Sequence, residues 1–149
     1  MYHLQKGTRL LNVDETWVNT ADMRRMKWRK RGQTNSTNDK AIRPRISVIA
    51  AISTEGETYL SLSIASTDDD TYRLFVKKLS AKLDQERPGW REDTVIVQDG
   101  APYHGSQKTR AYFAHLGIRT MFTAPYSYSG SPVELYFAAL KSINLNPTM

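Results

Sequence analysis

The sequence predicts an α/β protein with a mixed β-sheet and helices on both faces of the sheet. Three segments with strand character come first along the chain, and amphipathic helical segments then alternate with further apolar strands. Antiparallel strands followed by alternating helix and strand are typical of mixed sheets. The chain has 149 residues, which suits one domain with a sizeable core. We therefore expect a single domain over residues 1–149, built on five strands.

The first half of the chain supplies the three mostly antiparallel strands. Residues 9–13 form a short apolar segment that leads into Asp14, and residues 46–52 form a longer one. After a turn at residues 54–57, Leu60, Leu62 and Ile64 alternate with polar residues, which is the period of a half-buried strand. The last two segments predict an antiparallel hairpin. Between the first two strands we expect an extended basic loop at about residues 18–45, with a short strand near residues 27–29.

The second half alternates helix and strand. Three acids, Asp68 to Asp70, precede an amphipathic helix that Pro88 closes, and this position indicates helix capping rather than metal binding. A buried strand at residues 95–97 follows, then a helix from about residue 106 to Gly117 and a strand at residues 118–122. The last helix opens at Ser131, and we expect it to bury Leu135, Ala138, Ala139 and, at its end, Ile143.

Composition narrows the classes of function. The chain has no cysteine, which excludes disulfides, thiolate zinc sites and a cysteine nucleophile. The lack of cysteine suits a reducing compartment, the nucleus in a eukaryote and otherwise the cytoplasm. No apolar run approaches the roughly 18 residues of a membrane span, and no signal-peptide pattern opens the chain. We therefore expect a protein that is neither secreted nor bound to a membrane.

Positive charge is concentrated in the first third of the chain. The net charge is +6, and residues 1–45 hold eleven Lys and Arg against four Asp and Glu. Such a local excess favours contact with a polyanion such as DNA, although a solvated loop or a nuclear-localisation-like patch is an alternative interpretation. The densest run, which we predict to contact DNA, consists of Arg24, Arg25, Lys27, Arg29, Lys30 and Arg31.

Three acidic residues are candidates for one site. Asp99 follows a buried strand, and the carboxyl ends of strands are where open α/β sheets bind ligands. Asp14 follows the first strand, which can lie beside the strand of Asp99, and Glu134 lies on the first turn of the last helix. Each acid has a structural alternative. Asp14 can be satisfied by nearby backbone amides, Asp99 can cap its turn, and Glu134 can form a capping box with Ser131.

A divalent metal site is the chemistry that such a group of acids predicts. Three ionised carboxylates in one place need a positive counter-charge, because like charges raise one another's pKa. Mg²⁺ and Mn²⁺ are hard cations that prefer oxygen ligands. Two ions about 3.5–4 Å apart can stabilise both the attacking and the leaving oxygen of a phosphodiester. The prediction requires the three acids to surround a common point. His104 is a candidate accessory residue, with an ordinary hydrogen-bonded loop histidine as its alternative.

Four short motifs follow one another along the chain. They are Val13-Asp14-Glu15-Thr16, Trp28 ahead of Gly32, Asp99-Gly-Ala-Pro-Tyr-His104 after a buried strand, and Ala124-Pro125-Tyr126-Ser127 leading to Pro132-Val133-Glu134. Over about residues 9–142 this arrangement resembles the mariner superfamily of DDE transposases. The 34 residues between Asp99 and Glu134 match the spacing of one branch of that superfamily.

The resemblance implies an RNase H-like fold, shared with retroviral integrases, and a catalytic and metal-binding triad of Asp14, Asp99 and Glu134. The implied activity is DNA strand cleavage and strand transfer with two ions of Mg²⁺ or Mn²⁺. The implied partners are DNA, as transposon ends and as target, with a homodimer left open and with no membrane and no small-molecule cofactor.

Such transposases normally carry an N-terminal helix-turn-helix region, and nothing before Leu10 supplies one. We therefore expect a catalytic core without its DNA-recognition domain. Two alternatives stay open. One is an inactive, transposase-derived DNA-binding or interaction module, and the other is a general RNase H-like nuclease.

Overall fold

Five strands and four helices follow one another along the part of the chain that the structure describes. The structure is a computed structural model, and it describes residues 7–18, 30–32, 46–64, 66–124 and 131–143. The predicted short strand at residues 27–29 lies outside these ranges. In chain order the elements are β1 (Arg9–Val18), β2 (Ile46–Ser53), β3 (Thr58–Ser63), α1 (Asp69–Glu86), α2 (Trp90–Asp93), β4 (Thr94–Gln98), α3 (Gln107–His115), β5 (Thr120–Phe122) and α4 (Pro132–Ser142).

The strands form one mixed sheet in the order β3-β2-β1-β4-β5. Strands β1, β2 and β3 pair antiparallel, whereas β1 pairs parallel with β4 and β4 pairs parallel with β5. The predicted RNase H-like sheet is therefore confirmed, including the neighbouring positions of the first strand and the strand that precedes Asp99. In this topology β1 and β4 are neighbours in the middle of the sheet. Because they are parallel, their carboxyl ends lie at the same end of the sheet.

Helices cover both faces of the sheet, as the sequence predicts. On one face α1 and α3 pack on β1 and β2 around a core of Leu11, Val13, Ile49, Tyr72, Phe75, Val76, Leu79, Leu83 and Phe113. On the other face α4 packs through Val133 and Phe137 onto Val18, Val48 and Ala50. Consecutive residues of β1 therefore belong to different cores, because successive side chains of a strand point to opposite faces. Leu11 and Val13 pack on one face of the sheet, and Val18 packs on the other.

Strand β1 is longer than its apolar segment predicts. It continues through Asp14 to Val18, because β2 pairs with it as far as Val18 opposite Ile46. Asp14 thus lies inside a paired strand, opposite Ala50, rather than at a strand end. The antiparallel ladder with β2 fixes the position of the Asp14 backbone.

The alternation of apolar and polar residues in β3 is confirmed, but its leucines are exposed to solvent rather than buried. Leu62 is 69% exposed and Leu60 is also exposed, whereas the side chains between them are half-buried. The leucines lie on the face of the sheet that α4 covers, since their partners Val48 and Ala50 contact α4. Within the described residues, α4 packs mainly on β1 and β2, and the side chains of Leu60 and Leu62 on β3 stay exposed.

The predicted buried face of α4 is wrong. Leu135 is 72% exposed, and Ala138, Ala139 and Ile143 are exposed as well. The side chains that enter the core are Val133 and Phe137, with Tyr136 and Leu140 beside them. Both sets follow the period of a helix, so the periodicity alone does not choose between them. In the buried arrangement, the first turn of α4 contacts β1 through the Val133 amide, which donates to Asn12.

Helix termini agree with the sequence prediction at α1 and α3. The Asp68 side chain caps α1 by accepting a hydrogen bond from the Thr71 amide, and Ser106 caps α3 in the same way. Gly117 follows α3 with φ +65°, the left-handed conformation that ends many helices. The one-turn helix α2, which buries Trp90, was not predicted. Among the described helices, none is long and apolar enough to cross a bilayer.

Candidate active site

Asp14 lies in β1, and Asp99 directly follows β4, the strand that pairs parallel with β1. Asn12 of β1 is paired with Val97 of β4. Asp14 comes two residues after Asn12, and Asp99 comes two residues after Val97. Asp14 shares its side of β1 with Asn12, which contacts α4, so it faces the first turn of that helix and Glu134. The negative charges of both Asp99 and Glu134 act on Asp14. The fold therefore brings the three predicted acids to one end of the sheet.

The pKa of Asp14 is raised well above the ordinary value of an aspartate. Burial raises its pKa from 3.8 to about 7, and the charges of Glu15, Asp99 and Glu134 act in the same direction. A hydrogen bond from the Glu15 amide to Asp14 Oδ1, at 2.7 Å, lowers the pKa in part. The backbone-amide alternative for this residue is thus present, but it does not compensate for the burial and the repulsion. Among the described residues, no positive charge is a cause that lowers the pKa of Asp14.

Asp99 is held by its turn and by a histidine together. Its Oδ1 accepts a hydrogen bond from the Ala101 amide at 3.0 Å, which is the turn cap predicted as an alternative. The same oxygen lies 2.6 Å from Nδ1 of His104. The side chain remains 40% exposed, so one part of the carboxylate faces outward while Oδ1 is fixed. Turn capping and a role in a site are therefore compatible for Asp99.

His104 lies between the carboxylates of Asp99 and Glu15 and contacts both. Its side chain is fully buried, with Nδ1 against Asp99 and Nε2 2.9 Å from Oε1 of Glu15. Burial on its own lowers the pKa of His104, but the hydrogen bond to Glu15 and the charges of Glu15 and Asp99 outweigh it and raise the pKa above its ordinary value. Because a carboxylate has no hydrogen to donate, both contacts are satisfied together when both ring nitrogens carry a proton.

Two tyrosines enclose this histidine. The hydroxyl of Tyr103 donates to Oε2 of Glu15 at 3.1 Å, and the ring of Tyr72 lies 4.4 Å from the imidazole. The Tyr72 hydroxyl donates to the side-chain oxygen of Gln98. Burial raises the pKa of both tyrosines, so both hydroxyls keep their protons. The contacts with Glu15, Asp99 and Tyr72 fix the orientation of the His104 ring.

Glu134 lies on the first turn of α4, as predicted, but the capping box with Ser131 is absent. The Ser131 side chain makes no capping hydrogen bond within the helix. Its hydroxyl donates instead to Oδ1 of Asn12 at 2.6 Å, and that oxygen also accepts from the Val133 amide at 3.2 Å. The structural alternative for Glu134 thus loses its basis, because the helix is capped from β1 and not by its own serine.

The acids do not form a ready-made metal site. Within the ranges that the structure describes, no group of three or more His, Asp or Glu side chains is placed so that it could hold a metal ion as it stands. The second carboxylate oxygens of Asp14 and Asp99 accept no hydrogen bond from a described residue. The donor chemistry therefore suits Mg²⁺ or Mn²⁺, while closer convergence of the acids is required before an ion has three protein ligands.

Most of the predicted DNA-contacting run lies outside the described residues. Arg24, Arg25, Lys27 and Arg29 belong to that part of the chain. Lys30 and Arg31 are described, and both are exposed. Exposure leaves these two cations free to meet a phosphate backbone. For the other four the prediction stays a prediction.

Sequence reasoning missed two residues that the structure places at the site. Glu15 lies on the opposite face of β1 from Asp14 and contacts His104 there, and no local pattern predicts this contact. Asn12 lies within an apolar strand, and its role depends on contacts distant in sequence. A polar residue between Leu11 and Val13, both buried, is itself a signal, since a buried amide needs hydrogen-bond partners.

Comparison with protein families identifies the class. A family model described as DDE superfamily endonuclease matches residues 9–148, and the chain belongs to this family. No match was found among curated proteins.

Solved structures with this fold include those of Mos1, a mariner transposase. The Mos1 catalytic domain matches with a TM-score of 0.67 at 17% identity, over 97% of this chain and 64% of that one. A Mos1 paired-end complex with Mn matches with a TM-score of 0.69 at 20% identity, over 88% of this chain and 40% of that one. A pre-cleavage Mos1 transpososome matches with a TM-score of 0.68 at 18% identity, over 89% and 42%. The chain thus spans about two fifths of the Mos1 chains in those two complexes.

Proposed function

We propose that this chain is the catalytic core of a DNA transposase, in which Asp14, Asp99 and Glu134 bind divalent metal and direct DNA cleavage and strand transfer. The observation that carries the proposal is the register of β1 and β4, in which Asp14 and Asp99 each come two residues after the paired residues Asn12 and Val97. The carboxylate of Asp14 is partly buried, faces two further acids, and has a pKa raised to about 7. A divalent cation is the counter-charge that such a group lacks.

The roles of the three acids follow from their positions. Asp14 and Asp99 each come two residues after the paired residues Asn12 and Val97 and would share one ion, while Glu134 on α4 would complete the ligand set. When bound, Mg²⁺ or Mn²⁺, as two ions, lowers the pKa of an attacking water or 3′-hydroxyl and stabilises the leaving oxygen. The Mos1 paired-end complexes with Mn and with Mg support this choice of metals.

His104 acts on Asp99 rather than on substrate. It is fully buried, so it does not reach a phosphate, and its contact fixes Oδ1 of Asp99. The other carboxylate oxygen of Asp99 is then directed outward for metal. The accessory function predicted for His104 is therefore proposed as positioning of Asp99.

The proposed partner is DNA, as transposon ends and target, and a homodimer is the proposed assembly on it. The basic run at residues 24–31 supplies phosphate contacts, which give affinity without sequence specificity. The Mos1 transpososome and the Mos1 paired-end complex with the left transposon end support DNA as the partner of this fold.

A second candidate function is a DNA-binding module without catalysis. One observation favours it: the described acids are not gathered closely enough to hold an ion as they stand. This candidate predicts DNA binding that is independent of divalent metal and indifferent to loss of the acids.

Mn²⁺ binding separates the two candidates. Titration of the protein with Mn²⁺, followed by electron paramagnetic resonance of the free ion and by thermal unfolding, is expected to show saturable binding that stabilises the fold. Asp99→Asn is expected to weaken that binding, and with it the nicking of supercoiled DNA, about 10- to 100-fold or more. Glu92→Gln removes an exposed acid far from the site and serves as the control. Equal Mn²⁺ binding by the protein and by Asp99→Asn would leave only the second candidate.

A further inference from the structure

Asn12 is the polar residue in the middle of β1 that the catalytic proposal leaves without a role. It is 8% exposed, and its neighbours Leu11 and Val13 are buried in the core beneath α1. Asn12 points to the other face, toward α4. Burial of an amide side chain is unfavourable unless its donors and its acceptor are satisfied. The partners of this amide therefore show what the residue holds together.

The hydrogen bonds of Asn12 join three separate segments of the chain. Its Nδ2 donates to the Val97 carbonyl oxygen at 3.4 Å, on β4. Its Oδ1 accepts from the Ser131 hydroxyl at 2.6 Å and from the Val133 amide at 3.2 Å, at the start of α4. Asn12 is two residues before Asp14, Val97 is two before Asp99, and Val133 directly precedes Glu134. One side chain thus contacts all three segments that carry the acids.

The cap that Asn12 supplies is remote in sequence. The first amides of a helix lack partners within the helix, and a local Ser at the N-cap position normally satisfies one of them. At α4, Pro132 has no amide hydrogen. The Ser131 hydroxyl donates a hydrogen bond to Oδ1 of Asn12 and does not cap the helix. A local cap would move with the helix. A cap from β1 attaches the first turn, and with it Glu134, to the strand that carries Asp14.

The apolar contacts of α4 do not fix the first turn in the same way. Val133 and Phe137 hold the helix on the sheet, but apolar packing is non-directional and permits small rotations and shifts along the helix axis. Hydrogen bonds to the Val133 amide and the Ser131 hydroxyl are directional, and they lie within one turn of Glu134. Asn12 thus adds a directional constraint on the first turn of α4, which carries Glu134, to the apolar contacts.

We propose that Asn12 is a positioning residue that sets the location of Glu134 relative to Asp14 and Asp99, so that the three acids can converge on divalent metal. This inference rests on the proposed metal-binding function. It assigns to Asn12 no contact with metal or substrate; Asn12 acts through the first turn of α4.

A double-mutant cycle on Mn²⁺ affinity tests the proposal. The variants are Asn12→Ala, Glu134→Gln and the double variant, measured by electron paramagnetic resonance of free Mn²⁺ without DNA. We expect Asn12→Ala to weaken Mn²⁺ binding about tenfold, as loss of a supporting hydrogen bond does at metal sites. In the Glu134→Gln background the same change is expected to matter by less than about twofold, because the residue through which Asn12 acts is already removed.

Two further variants separate positioning from general loss of stability. Ser80→Ala removes a buried hydroxyl that donates to the Val76 carbonyl within α1, far from the acids, and it is expected to lower the unfolding temperature without changing Mn²⁺ affinity. Ser131→Ala removes only one of the two hydrogen bonds from α4 to Asn12, and we expect an intermediate loss of affinity. If Asn12→Ala does not fold, which circular dichroism shows, Ser131→Ala carries the same cycle with Glu134→Gln.

The outcomes are distinct. Unchanged Mn²⁺ affinity in Asn12→Ala, or an equal loss with and without Glu134, would overturn the positioning role of Asn12. Unchanged affinity in Glu134→Gln would overturn the ligand role of Glu134 and this inference together, whereas absence of Mn²⁺ binding by the unaltered protein would overturn the proposed function itself.

Discussion

Nε2 of His104 lies 2.9 Å from Oε1 of Glu15, and both side chains are buried, with 0% and 6% of their surfaces exposed. The contact spans 89 positions in sequence and joins β1 to the turn after β4. Since Nδ1 of the same ring holds Asp99, Glu15 orients the histidine that fixes a proposed metal ligand. A buried carboxylate that no motif marks as catalytic thereby becomes part of the support of the site.

Removal of His104 is expected to destabilise the protein strongly. His104→Ala leaves the buried carboxylate of Glu15 without its ionic partner, and loss of one partner of a buried pair costs about 3 kcal/mol of unfolding free energy. Adding Glu15→Gln removes the unpaired charge and is expected to recover part of the loss. Urea unfolding measures both, with exposed His115→Ala as the control. If Glu15→Gln in this background deepens the loss instead, the charge of Glu15 is not the cause.

The contribution of His104 to stability is expected to depend on pH. Its raised pKa means that the folded protein holds this proton more tightly than the unfolded chain does. The stabilisation is therefore fully present below about pH 6.5, the ordinary value for histidine, and is lost as pH rises through the raised pKa. The difference in unfolding free energy between the protein and His104→Ala should shrink from pH 6 to pH 9. A difference that grows over this window would contradict the protonated bridge.

Asp14→Asn is expected to stabilise the metal-free protein at high pH. The folded pKa of about 7 exceeds the ordinary 3.8, so ionisation of Asp14 costs stability as pH rises from 3.8 through about 7. Asparagine avoids that cost, and we expect a gain on the order of 1–3 kcal/mol at pH 8 and little change at pH 4. Thermal unfolding in the presence of a chelator checks this. A loss of stability at pH 8 would mean that the charge of Asp14 is already compensated within the protein.

The basic run is expected to set the salt dependence of DNA binding. Replacement with Gln of Arg24, Arg25, Lys27, Arg29, Lys30 and Arg31 should weaken binding to all DNA sequences equally. The logarithm of the binding constant should also fall less steeply with the logarithm of salt, by about 0.9 for each phosphate that the protein no longer neutralises. Fluorescence anisotropy at several salt concentrations measures the slope. Lys77→Gln with Lys78→Gln, exposed on α1, is the control, and an unchanged slope in the replaced run would mark it as a solvated loop.

Much of the sheet was predictable from local patterns. The apolar runs of β2 and β4, the spacing of buried residues in α1 and the caps at Asp68 and Ser106 depend on near neighbours in sequence, and the structure has them where the sequence places them. The neighbouring positions of β1, which carries Asp14, and β4, which precedes Asp99, were also predictable, because they require only that two strands lie side by side.

What was not predictable depends on contacts distant in sequence. The apolar pattern of α4 allows two buried faces. The observed one has Val133 in the core, and the Val133 amide donates to Asn12, more than 100 positions earlier. Strand β1 looks finished at Val13, yet pairing with β2 extends it to Val18. The bridge from His104 to Glu15 crosses between elements, and no spacing rule for either residue predicts it.

Mg²⁺-dependent nicking of supercoiled DNA by the protein and by Glu134→Gln tests the proposed triad most directly. Glutamine keeps the shape and the helix propensity of glutamate but not the charge that a metal ligand needs. Glu134→Gln is expected to fold normally and to nick DNA at least about 100-fold more slowly, with exposed Glu92→Gln unaffected. Nicking by Glu134→Gln at the rate of the unaltered protein would contradict a catalytic triad of Asp14, Asp99 and Glu134.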